Sequence, residues 1–230
     1  MILYVGSPSC PADRKRENMY TNNYTVVDLE TTGLNRQSDE IVEIAAIRVR
    51  EGRMVASFHS LVRPQNPIPE QTSRFNHITN SMLKNARELN DVFPAFVKFI
   101  GDDPLLGHNI DSFDIDFLNR AARSIIGEDL PNETVDSLKI ARKAIKEPHS
   151  HSLSKLCERF GVTNPQEHRA LADCETTVKV YSRLREMDIP EEAFNEEEDR
   201  PYRNGPLTEE VQTDAPTGKK NNAFRGRFRA

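Results

Sequence analysis

The chemistry available to this sequence is concentrated in a few acids and one histidine. Asp28 and Glu30 lie two residues apart in Tyr24-Thr25-Val26-Val27-Asp28-Leu29-Glu30, a run rich in β-branched and aromatic residues that ends in Thr-Thr-Gly. Such a run reads as a strand closed by a turn. Residues two apart in a strand share a face, so both carboxylates point the same way as Val26, while Val27 and Leu29 point the other way. The strand is apolar through its length, as a covered central strand is. Two carboxylates at its end repel unless something cationic sits between them. A solvated acidic face is the alternative reading of this pair taken alone.

Two further acids face inward. A helix beginning near Ser112 aligns Asp114 with Phe117, Leu118 and Ala121 on one face and turns Asp116 roughly 200° away, toward solvent. Asp111 precedes that helix, in a position to cap it. On the last helix Asp173 aligns with Val180 and Leu184, with Thr177 close by, and a buried carboxylate there needs compensation from elsewhere in the fold. His168 falls just before this helix, where the chain is still turning and the ring can reach a site; a structural histidine is the alternative. Inward acids from three separate segments ask for more than one positive charge. Oxygen-only ligands suit Mg²⁺ or Mn²⁺ better than zinc. Two such ions about 3.5–4 Å apart can stabilise the attacking and leaving oxygens of an in-line phosphoryl displacement. A histidine beside them can take the proton from the attacking water.

These side chains need a scaffold that brings distant segments together. After the first strand, Glu40–Arg50 and Arg53–Arg63 form a hairpin through Glu51-Gly52. Pro-rich residues 64–70 break the pattern. Helices are expected over Ser81–Ala86, Val92–Ile100, Ser112–Ser124, from the Thr134–Val135 strand to Lys146, over Leu153–Phe160 and over Ala170–Met187, with a short buried strand at Pro104–His108. Three early strands followed by alternating helix and strand give an α/β fold: a mixed central sheet with helices on both faces.

The chain has 230 residues, 37% of them hydrophobic and 29% charged, with a formal net charge of −5. That length suits one sizeable domain with extensions. The negative charge argues against a protein that coats nucleic acid through a broad basic surface, but not against an enzyme that grips a few nucleotides beside bound cations. No apolar run approaches the ~18 residues of a membrane span, and the opening residues lack a basic signal region, so a cytoplasmic protein without membrane contact is expected. Cys10, Cys157 and Cys174 share no metal-ligand spacing and fit a reducing compartment. Residues 1–22 read as a loosely ordered extension, 23–187 as the domain, and 188–230 as a disordered tail running from acidic (Glu196-Glu197-Glu198-Asp199) to basic (Arg225 to Arg229).

Val27-Asp28-Leu29-Glu30-Thr31-Thr32-Gly33-Leu34, His108-Asn109-Ile110-Asp111-Ser112-Phe113-Asp114 and His168-Arg169-Ala170-Leu171-Ala172-Asp173 resemble, in order and separation, the three motifs of the DEDD exonuclease superfamily. The resemblance covers roughly residues 22–187. The histidine five residues before the last Asp is similar to that of the histidine (DEDDh) subgroup, which contains the proofreading epsilon subunits and domains of bacterial replicative DNA polymerases, RNase T-like enzymes and oligoribonucleases. The resemblance implies an RNase H-like three-layer fold and a 3′–5′ exonuclease. Asp28, Glu30, Asp114 and Asp173 would hold two ions, with Asp28 bridging them, and His168 would be the general base. Thr31 and Leu34 would contact the terminal nucleotide, Phe113 would offer a base an apolar contact, and His77 matches a segment near the substrate pocket. The second motif has three residues between Asn109 and Phe113 where the family more often has two, so a longer loop before the helix is expected.

The expected substrate is the single-stranded 3′ end of DNA. An RNA-trimming enzyme and an inactive nucleic-acid or polymerase-binding module are the competing readings. With no polymerase domain in the chain, proofreading would need docking on a separate polymerase subunit, for which residues 188–230 are the candidate. Lys139, Arg142, Lys143 and Lys146 form a basic stripe, read as a solvated face. Asp136 reads as a helix cap.

Overall fold

The computed structural model describes residues 22–147 and 151–187. The expected extension before residue 22 and the tail after residue 187 lie outside the described residues. Six strands form one sheet: β1 (Tyr24–Thr31), β2 (Ile41–Arg50), β3 (Arg53–Arg63), β4 (Arg87–Glu88), β5 (Leu105–Gly107) and β6 (Thr134–Asp136), in the order β4-β3-β2-β1-β5-β6. The β1–β2 and β2–β3 pairs are antiparallel, whereas β1–β5, β5–β6 and β3–β4 are parallel. The sheet is therefore mixed, with β1 flanked on both edges.

Helices cover both faces. Tyr24 and Val26 of β1 pack with α5 (Ser137–Ala144), α6 (Leu153–Phe160) and α7 (Ala170–Arg185), where the Tyr24 and Tyr181 rings meet edge to face at 5.2 Å. Val27 and Leu29 point the other way, into α3 (Leu89–Ile100) and α4 (Asp114–Ile125). The alternation expected of the first strand thus feeds two separate cores, in three layers. Cys157 and Cys174 are free, buried thiols in the first of these cores. Among the described residues, no helix is long and apolar enough to cross a membrane.

Several elements differ from expectation. Residues after the Pro-rich stretch form α1 (Glu70–Asn76), which the sequence pattern does not reveal, and α2 covers Asn80–Leu83 rather than 81–86. α5 stops at Ala144, not Lys146: Ile145 turns extended (ψ 116°) and buries its side chain. The extra residue of the second motif is absorbed by a 3-10 turn, Ile110–Ser112, entered through Asn109 at φ 72°. The turn folds tightly over the end of β5, because a Cβ on Gly107 would stand 2.7 Å from Ile110 Cβ. Asp136 caps α5 by accepting from Leu138 N–H (2.9 Å), as expected, and its carboxylate also takes the Asn109 N–H (2.9 Å). Asp111 does not cap α4: its carboxylate accepts from Thr134 Oγ1 and pairs with Lys139 Nζ at 3.0 Å. That contact also draws Lys139, the first residue of the basic stripe, into an ion pair.

Candidate active site

Asp28 and Glu30 emerge at the C-terminal end of β1, on the face covered by α7, and Asp173 descends from the first turn of that helix. One carboxylate oxygen from each lies within 4.8 Å of the others. Asp173 is buried, and Asp28 and Glu30 are partly so.

Asp114 joins from the opposite layer. The N–H groups of alternate β1 residues face β5, as Thr25 N–H shows by donating to Pro104 O (2.9 Å). β5 ends at Gly107, leaving the Leu29 N–H beyond it, and this N–H and that of Asp114 itself lie near enough to the Asp114 carboxylate to favour its charged form. That approach sets the acid at the start of α4 beside the middle of the Asp28–Glu30 pair. Asp114 is buried with Phe117, Leu118 and Ala121, whereas Asp116 is exposed and pairs with Arg36 (3.2 Å).

The electrostatics of the cluster are those of anions only partly compensated by their surroundings. Burial, followed by repulsion from Asp114, Asp173 and Glu30, pushes the Asp28 carboxyl well above its ordinary range. Burial and the Asp173 charge raise Glu30 to about 8. Asn76 partly offsets that rise: its buried Nδ2 has no partner at normal hydrogen-bonding distance but lies near Glu30. Burial raises Asp114 as well. Asp173 is raised by burial despite hydrogen bonds from Asn164 Nδ2 (2.6 Å) and His168 N–H (3.0 Å). An oxygen-only, dehydrated, mutually repelling set of carboxylates fits hard divalent cations, which would supply the missing positive charge.

His168 sits at φ 62°, and its ring lies against the Phe75 ring, with centroids 3.9 Å apart. Of the expected substrate contacts, Thr31 is buried and its Oγ1 donates to Gly33 O (2.6 Å), which builds the turn after β1. Leu34 is 55% exposed, His77 is exposed at the C-terminal end of α1, and Phe113 packs partly buried against Phe117 at 5.1 Å.

The sequence reading passes over one group of residues. Glu43 of β2 is the direct cross-strand partner of Glu30. Its carboxylate accepts from Arg169 (2.7 Å to Nη2), from Ala170 N–H (3.0 Å) and from His59 Nε2 (2.6 Å). Although burial opposes it, these partners hold Glu43 down to about 2. The signal was a single acid inside the apolar run Ile41-Val42-Glu43-Ile44-Ala45-Ala46-Ile47.

An exonuclease family model (RNase T) matches residues 25–181, which include every residue of the acidic cluster. The chain belongs to this exonuclease family. The exonuclease is similar to a DNA polymerase III subunit epsilon from Aquifex aeolicus, 33% identical over 173 residues that cover 75% of this chain and 85% of that protein. It is also similar to a PolC-type DNA polymerase III from Thermotoga petrophila, 35% identical over 71% of this chain; the match spans only 12% of that protein. Among solved structures it is similar to exonuclease X in complex with 5′ overhanging duplex DNA, with a TM-score of 0.55, 30% identity, and coverage of 70% of this chain and 90% of that one. Exonuclease I from E. coli shares the fold at a TM-score of 0.63 and 16% identity, over 71% of this chain and 41% of that one.

Proposed function

We propose that this exonuclease removes nucleotides from the 3′ end of DNA with two divalent cations, Mg²⁺ or Mn²⁺, held by Asp28, Glu30, Asp114 and Asp173. The observation that carries the reading is the convergence of Asp28, Glu30 and Asp173 within 4.8 Å, although more than half the chain separates the first from the last. When bound, the ions would supply the positive charge that stabilises the attacking and leaving oxygens of the phosphodiester. The protein's share is orientation. β1 and α7 aim their carboxylates at one point, Asp114 lies beside the Leu29 N–H, and Asp173 fixes the backbone of His168. His168 takes the proton from the attacking water as the water oxygen bonds to phosphorus, the bond from phosphorus to the 3′ oxygen breaks, that oxygen takes up a proton from solvent, and a nucleoside 5′-monophosphate leaves. Leu34, standing exposed beyond the Thr31 turn, would meet the terminal base, with Thr31, Phe113 and His77 around it.

The substrate is read as the single-stranded 3′ end of DNA; a relative named as a DNA polymerase III subunit and a neighbour solved on 5′ overhanging duplex DNA support DNA as the nucleic acid. Residues 23–187 serve as the catalytic unit, and residues 188–230 are proposed to dock a DNA polymerase for proofreading. In the PolC-type relatives the matching segment is a small part of a protein named as a DNA polymerase, which supports this reading.

The test is a 5′-labelled single-stranded DNA and its RNA counterpart, each with Mg²⁺ and with chelator. A ladder of shortened DNA that disappears with chelator supports the proposal. Degradation of RNA alone replaces it with the RNA-trimming reading, and no cleavage of either with any divalent ion leaves a binding module. Deleting residues 188–230 should abolish polymerase association and spare hydrolysis.

A further inference from the structure

The proposed base, His168, has its backbone held from both sides. Its N–H donates to Asp173 Oδ2 at 3.0 Å. The following residue, Arg169, is clamped to Glu43 (2.7 Å), as is the N–H of Ala170 (3.0 Å). These contacts stabilise a left-handed φ of 62°, which a non-glycine residue adopts at a cost. They leave the two side-chain torsions of the imidazole undetermined. Among the described residues no hydrogen bond reaches either ring nitrogen. The ring's close neighbour is Phe75, at 3.9 Å between centroids and a 35° tilt.

Phe75 is an unusual place for a large apolar side chain. It is 61% exposed and belongs to none of the three buried cores, so packing alone does not account for it. The helix that carries it is tied to the site around it. Thr72 Oγ1 donates to Thr32 O at 2.9 Å, just beyond the Asp28–Glu30 strand. Ser73 Oγ donates to Ile78 O, and Asn76 accepts the Ile78 N–H (3.1 Å) while its Nδ2 approaches Glu30. The last turn of α1 is thus fixed on either side of Phe75, and the phenyl ring is delivered at a set height over the imidazole.

We propose that Phe75 is a positioning residue for His168, its ring face setting the imidazole torsions that the backbone clamps leave free. This inference rests on the reading of His168 as the base. It assigns a function to α1, which the motifs of the chain do not include.

The test uses the full chain and two readouts. In ¹H NMR the carbon-bound ring protons of His168, identified by their loss in His168→Gln, should be displaced upfield by the Phe75 ring current, and Phe75→Leu should remove that displacement. In single-stranded DNA hydrolysis Phe75→Ala and Phe75→Leu should lower kcat by roughly three- to tenfold, the range an aromatic pair is worth, with KM little changed, and Phe75→Tyr should restore kcat. Arg74→Ala, on the exposed side of the same helix, should behave as wild type. An effect on KM alone would make Phe75 a stacking platform for a nucleobase and overturn the proposal, as would His168 resonances indifferent to the substitution. Should the chain prove inactive on nucleic acid, the resonances still decide whether Phe75 fixes the imidazole, separately from the nuclease reading.

Discussion

Glu30 and Glu43 face each other across neighbouring antiparallel strands, on the same side of the sheet, Glu43 fully and Glu30 partly shielded from water. One is raised to about 8 and the other held at about 2. The difference lies in what the fold supplies. Glu43 receives a guanidinium, an imidazole and a backbone N–H at the positive end of α7. Glu30 receives the approach of Asn76 and the more distant charge of Arg169, whose guanidinium Glu43 already holds, and it shares its space with Asp28 and Asp173. A fold that compensates one buried acid, one strand away, and leaves its partner among other acids supports the proposed use of that second position by an external cation. On the proposed function, Glu43 holds the frame and the cluster is left to do chemistry.

The largest expected effect separates these roles. Asp28→Asn or Asp114→Asn should lose well over the roughly 10- to 100-fold that removal of an outer partner of a metal ligand costs, measured as turnover of labelled DNA. Without divalent ions, the same variants should melt no lower than wild type, because each removes a repelling charge. A large loss of stability would show that the cluster is compensated internally and would erase its contrast with Glu43. Glu43→Gln is expected to do the reverse. Removing the anion between Arg169 and His59 should cost about 3 kcal/mol of stability, read by denaturant melts. The depressed carboxyl of Glu43 fixes the sign of its pH dependence: its contribution is complete above about 4.5, the ordinary value, and is lost as pH falls toward about 2. A Glu43→Gln protein that keeps the wild-type acid limb would break the comparison from this side.

Periodicity is what made the acidic half readable. The two-residue repeat of β1 sets Asp28 and Glu30 on the face of Val26, and the helical repeat sets Asp114 with Phe117 and Asp173 with Val180, all from local sequence. The α/β class follows from the same signals. The supporting half depends on contacts that local sequence does not encode. Arg169 and Glu43 are 126 residues apart, and only folding reveals that the acid interrupting β2 has a cation waiting at the start of α7. α1 was hidden because it is seven residues long, follows Pro69, and buries only Asn76, so no apolar stripe announces it. The 3-10 turn before Asp114 depends on Asp136 taking the Asn109 N–H from another strand, a partner that the second motif does not contain.

A smaller effect sharpens the contrast through pH. Glu30 binds its proton more tightly folded than unfolded, where its value is near 4.5. Below about 4.5 it is protonated in both states and costs nothing; as pH rises toward about 8 the folded state is penalised for holding what the unfolded chain has released. Chelated protein should therefore melt lower as pH rises across this window. Mn²⁺ or Mg²⁺ should raise the melting temperature most at its upper end, since cations compete with protons for the carboxylates. A melting temperature indifferent to either ion near pH 8 would argue against the site as a cation cage.

The smallest expected effect concerns Asp116, two residues from Asp114 and a third kind of acid in this molecule: compensated, by Arg36 at 3.2 Å, but at the surface. Its side chain is 53% exposed, so water already solvates the charge and the ion pair should be worth no more than about 1 kcal/mol. Asp116→Asn should consequently keep wild-type turnover and shift the melting temperature by little, more so in salt, where such pairs are screened. The comparison of Glu30 with Glu43 says that a cation partner matters when the acid is buried, and Asp116 isolates that condition by keeping the partner and removing the burial. If Asp116→Asn and Asp114→Asn lose turnover equally, then burial does not distinguish these acids, and the helical register that places Asp114 among the carboxylates fails with it.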